Sequence, residues 1–175
     1  MMSTRNALKG PVAPMVALLA AFLVSSGAYA AGEPRSANAE TWQSDPVITQ
    51  LETYTSRKDW QGAAAYMKTA VERNPNSADY NNLYAYVMRK GPNPNMDLVF
   101  KHYNEALRID PKHRGAHEYI GEAYLMVKNL PKAKEHLSVL DRLCTFGCEE
   151  YSDLKKAVAQ YEVANAGTTT NTANK

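Results

Sequence analysis

Three stretches of the chain can be laid on top of one another, and this self-similarity constrains the fold more than any single residue. Asp59-Trp60-Gln61-Gly62-Ala63 is followed by Met67, Ala70, Val71 and Asn74-Pro75, and Val99, Tyr103, Ala106, Leu107 and Asp110-Pro111 fall at the same offsets. The third copy reads Asn129-Leu130-Pro131-Lys132-Ala133, then Leu137 and Leu140, with Cys144-Thr145 where the proline would stand. Pro75 and Pro111 are 36 residues apart and Ala63 and Ala133 are 70 apart, a period of about 34 with a small insertion. A helical hairpin of that length cannot bury its apolar stripe alone. It must stack on its neighbours.

The N-terminus lies outside that pattern. Arg5 and Lys9 precede a compact apolar run from Pro14 to Val24, and Ala28-Tyr29-Ala30 is a small-x-small site. The order predicts a secretory signal peptide over residues 1–30, cleaved after Ala30, and hence a periplasmic or otherwise exported product. The apolar core is shorter than the ~20 residues a membrane anchor needs. Cleavage would remove Arg5 and Lys9 but no acid, so the 20 basic and 18 acidic residues become 18 of each. The mature chain then offers no electrostatic footprint for nucleic acid or an anionic membrane.

Residues 31–43 are small and polar and read as a flexible leader, and residues 166–175 as a disordered Gly/Thr/Asn tail. Between them, residues 44–165 carry helical periodicity throughout. Helix starts are marked by Asp45-Pro46, Asp59, Ser77 and Asn129-Leu130-Pro131. The last helix, from Glu149, has one narrow apolar stripe of Tyr151, Leu154, Val158 and Tyr161. Its opposite side carries Glu150, Asp153, Lys155, Lys156 and Gln160, the pattern of a terminal capping helix that should pack on Leu137 and Leu140.

At these residues the chain resembles the tetratricopeptide repeat (TPR) family, and more specifically small exported bacterial proteins that contain such repeats. The resemblance implies an all-α, right-handed α-solenoid of about three helix–turn–helix units closed by the helix from residue 149. Gly121 and Ala85 match the small residue of the family's first helix, Ala63 and Ala133 that of the second, and Pro75 and Pro111 the closing proline. Leu51 and Val99 depart from it, and the cysteine segment replaces the third proline.

In such a stack the exposed side of each first helix lines a concave groove. Here that side offers Glu52, then Asn82, Tyr86 and Arg89, then Glu118 and Glu122, a mixed set in which acids outnumber bases. Family members that clamp a terminal carboxylate use paired Lys and Asn, and Ile48 and Glu52 stand in such places here. The implied partner is a protein or peptide with basic and apolar residues, and the implied role a scaffold or adaptor in envelope assembly. Self-association is a further possibility, since only the C-terminal end shows an evident polar cap.

Cys144 and Cys148 are the only cysteines and flank a short turn. In an oxidising compartment they are expected to form a structural disulfide, which over so short a loop contributes roughly 2 kcal/mol in the chain-entropy model. His113 and His117 stand one helical turn apart, a spacing that can chelate a divalent metal, but His113 sits beside Pro111 and a surface role is the plainer expectation. The rival to the adaptor is a metal- or redox-responsive accessory protein using these histidines and the cysteine pair. No phosphate loop, nucleophile elbow or acid–base pair is recognisable, so the chain reads as a non-enzyme with no cofactor.

Overall fold

The computed structural model describes residues 45–166. The expected signal peptide, leader and all but the first residue of the expected tail lie outside that range. Among the described residues there are seven helices and no strand: α1 (Pro46–Ser56), α2 (Trp60–Arg73), α3 (Ala78–Lys90), α4 (Met96–Ile109), α5 (Arg114–Met126), α6 (Leu130–Leu143) and α7 (Glu149–Ala166).

Each helix begins at a side chain that accepts from its first turn. Asp45, Asp59, Ser77, Asn95 and Asn129 use oxygen acceptors at 2.7–3.2 Å. His113 uses Nδ1, 3.1 Å from the Ala116 amide, and Cys148 uses Sγ, 3.4 Å from the Tyr151 amide. A cap of the usual kind contributes about 1 kcal/mol. The turns from α1 to α2 and from α5 to α6 are the same turn used twice. Lys58 and Lys128 both take a left-handed conformation (φ 57° and 60°), and each donates back to the carbonyl three residues earlier.

α1/α2, α3/α4 and α5/α6 form hairpins, α2 packs on α3 and α4 on α5, and α3 also touches α5 directly. α7 packs on both α5 and α6, as the first helix of a further unit would. The main core runs from Leu51, Ala63 and Met67 through Leu83, Ala85 and Val87 to Tyr103 and Ile120. A second cluster of Ala133, Leu140, Leu154 and Val158 joins the last hairpin to α7, with Leu137 and Tyr151 at its edge. Tyr161 is only half-buried and lies outside it. The close approach of α5 and α7 depends on Gly121, where a Cβ would stand 2.6 Å and 2.8 Å from the two methyls of Leu154.

Candidate functional site

Asn82, Tyr86 and Arg89 recur at intervals of four and three residues and form one stripe of α3; Glu118 and Glu122 form the corresponding stripe of α5. The structure joins the two stripes. The Arg89 guanidinium donates to Glu122 Oε2 at 2.7 Å and to the Tyr103 hydroxyl at 3.2 Å, and it lies over the rings of Tyr86 and Tyr119. Those rings are 4.9 Å apart. Trp60 meets Tyr86 edge-on, and Lys90 lies over both rings. Burial works against the Arg89 charge, but Tyr103 and Glu122 outweigh it and hold its pKa above the ordinary value. Burial pushes Tyr103 up to about 12 in spite of that guanidinium.

The exposure expected of this face does not hold. Glu52 is exposed and Glu122 partly so, but Asn82, Tyr86, Arg89 and Glu118 are buried. The reason is that α3 buries every residue from Asn81 to Val87, and α5 every residue from Gly115 to Gly121. Both are interior helices with polar residues on one side. Among the described residues Glu52 forms no side-chain hydrogen bond or ion pair with the Arg89–Glu122 group, so five of the six expected groove residues lie on α3 and α5 and the sixth on α1.

Two buried polar groups stand out. Both polar atoms of the Asn82 amide are fully buried and have no hydrogen-bond partner among the described residues. Its neighbour Asn81, by contrast, donates to Pro75 O and Ser77 O and meets His102 at 2.8 Å. Glu118 is pushed up to about 9, first by burial and then by Glu122, Asp153 and Glu150, with Arg89 pulling the other way.

The histidines behave differently from the surface chelate considered above. Both are buried, and their nitrogens are used by the protein. His113 caps α5 through Nδ1 and places Nε2 3.0 Å from Asp79 Oδ1. His117 Nε2 is 3.1 Å from the Pro111 carbonyl, which only accepts, so that nitrogen carries the proton. Its Nδ1 then accepts, at 2.9 Å, from Nδ1 of His136, a partner nineteen residues on that the sequence reading missed. Burial and then His117 push His136 down to about 4.

Cys144 and Cys148 have their sulfurs 2.02 Å apart, with Glu150 within 4.8 Å of both. Sulfurs joined in this way are not the thiolates a metal would take.

No protein-family profile matches the chain, and no curated protein sequence does. Solved structures do. The type III secretion translocator chaperone SycD of Yersinia enterocolitica superimposes with a TM-score of 0.59 at 11% identity, over 75% of this chain and 88% of that one. PcrH, in complex with the chaperone binding region of PopD, gives 0.57 at 12% identity, over 74% and 95%. SycD in complex with a peptide of the translocator YopD gives 0.57 at 14%, over 79% and 99%.

The fold is a TPR-like α-solenoid. At such low identity what the likeness shows is the fold.

Proposed function

We propose that this protein is an exported TPR-type adaptor that holds an extended segment of a protein partner against the stripes of α3 and α5. The observation that carries the reading is Asn82. A buried amide with both ends unpartnered costs about 1–3 kcal/mol for each unsatisfied group. A peptide bond of a bound segment supplies the complementary acceptor and donor together once the side chains that enclose Asn82 move aside to admit it. The aromatic and cationic side chains beside it (Trp60, Tyr86, Lys90 and the Arg89–Glu122 pair) provide apolar contact and fixed charge around that anchor. Two structural neighbours are described with bound segments of partner proteins, and SycD also as an alternative dimer. Those descriptions support a peptide partner and leave room for self-association. Envelope assembly is the setting that the signal-like N-terminus favours, with Cys144 and Cys148 oxidised there.

Asn82→Leu tests this reading, because Leu fills the same space without polar atoms. The variant should be more stable than the parent by about 1–3 kcal/mol in urea unfolding. It should also lose binding to an array of capped twelve-residue peptides covering envelope proteins by tenfold or more. A variant that binds the array like the parent would refute the assignment of Asn82. For export, the mass of the protein recovered from the periplasm should correspond to a chain starting at Ala31.

A further inference from the structure

The C-terminal end of the stack is less completely covered than a capping helix should leave it. α7 packs on α5 and α6 as the first helix of a further hairpin would, and no described helix follows it. A groove of about 480 Å³ is left between α6 and α7, with Leu137, Val158 and Ala159 along its middle. At one end Lys134 of α6 pairs with Glu162 of α7 at 2.5 Å. Two turns away Asp141 and Lys155 line the other end. Lys155 lies over the Tyr151 ring and, like Asp141, makes no ion pair among the described residues. Val163, one turn past Ala159 on the same row of α7, is 79% exposed.

The groove side of α7 reads Lys155, Val158, Ala159, Glu162. Those positions are spaced symmetrically about the point between Val158 and Ala159, and the two end residues carry opposite charge. A helix that fills the groove must bring small apolar side chains to its middle, a carboxylate opposite Lys155 and a cation opposite Glu162. α7 is itself such a helix when it runs the other way. We propose that this groove is where two copies of the chain pair, each α7 lying antiparallel to the other about a two-fold axis between Val158 and Ala159. A two-fold contact uses one patch twice, so the patch must be complementary to itself, and this one is. Lys155 meets the partner's Glu162, and Glu162 meets the partner's Lys155 while keeping Lys134. Each end of the contact then gathers Lys134 and Glu162 from one protomer and Lys155 and Asp141 from the other, with no net charge. The paired α6 and α7 helices make a four-helix bundle with an apolar middle. The pairing uses none of the α3 and α5 side chains proposed to hold a segment, so the two readings are tested separately.

Sedimentation equilibrium of the full chain from about 1 to 300 µM should show monomer and dimer in exchange, with a dissociation constant in the micromolar range. Lys155→Glu sets acid against acid at both ends of a homodimer, and Glu162→Lys sets cation against cation. Both positions are exposed on α7, so each variant should keep the parent's helical circular dichroism. Each alone should dissociate at least tenfold more readily than the parent. An equimolar mixture of the two should associate like the parent, because each substitution then faces its complement at both ends. A parent that stays monomeric over the whole range would overturn the inference. So would a dimer indifferent to both substitutions, or a mixture no more associated than its separate components.

Discussion

Replacing Glu118 by glutamine should stabilise the protein, and by an amount that depends on pH in a defined way. The carboxyl is pushed up to about 9 in the fold against 4.5 in an unfolded chain. At neutral pH the folded protein therefore keeps a proton that the unfolded chain has given up. A carboxyl with a raised folded-state pKa contributes its full stability below the unfolded value, and that stability is lost as pH rises toward the folded value. The loss is about 1.4 kcal/mol per pH unit above 4.5, hence about 3 kcal/mol at pH 7. That figure depends on the unfolded value alone, provided the folded pKa stays above 7. Glutamine has the same shape and nothing to ionise. Glu118→Gln should thus gain about 3 kcal/mol at pH 7, on the order of 10 °C in melting temperature, and nothing at pH 4.5. Urea unfolding followed by circular dichroism from pH 4.5 to 8 measures it. Glu105→Gln, which loses only an exposed pair with Arg108, is the control and should change stability by less than about 1 kcal/mol. Equal midpoints for Glu118→Gln and parent at pH 7, or a gap that does not close on acidification, would refute the reasoning.

Gly121→Ala should cost about 1–3 kcal/mol by driving its new methyl into Leu154, and Leu154→Ala alone about 2–5 kcal/mol. The two should be coupled by at least about 1 kcal/mol in a double-mutant cycle; additive effects would place α7 elsewhere. Arg89→Ala should cost about 3–5 kcal/mol, since it strands Glu122 and Tyr103 and removes the group between two rings; a melt within error of the parent would contradict that. A chain ending at Cys148 should aggregate on sedimentation, whereas one ending at Asn165 should melt like the parent. Thiol titration of protein isolated from the periplasm should find no free thiol until a reductant is added.

The periodicity of apolar residues located every helix, because stripes such as Met67, Ala70 and Val71 are set by the 3.6-residue turn and need no tertiary information. Oxygen-bearing caps at Asp45, Asp59, Ser77 and Asn129 were legible for the same reason: capping is local. His113 as a cap was not, because an imidazole nitrogen does this work rarely. The all-round burial of α3 and α5 was invisible, since Asn81, Asn82, Arg89, His117 and Glu118 sit where hydropathy signals solvent. Only the stacking of neighbouring hairpins shows that those positions are interior. The His117–His136 and Arg89–Glu122 pairs likewise span nineteen and thirty-three residues, beyond any local pattern. The disposition of the candidate site is therefore a property of the stack.

The place of α5 among its neighbours has a consequence for motion. It is enclosed by α3, α4, α6 and α7, whereas α1 packs chiefly on α2. In a linear array of this kind, opening begins at the ends and reaches the middle last. Amide hydrogens of α5 should exchange at the rate of global unfolding, those of α1 far sooner. A segment that binds along α3 and α5 would meet a surface already ordered, so the entropy lost on binding would fall on the guest rather than the host.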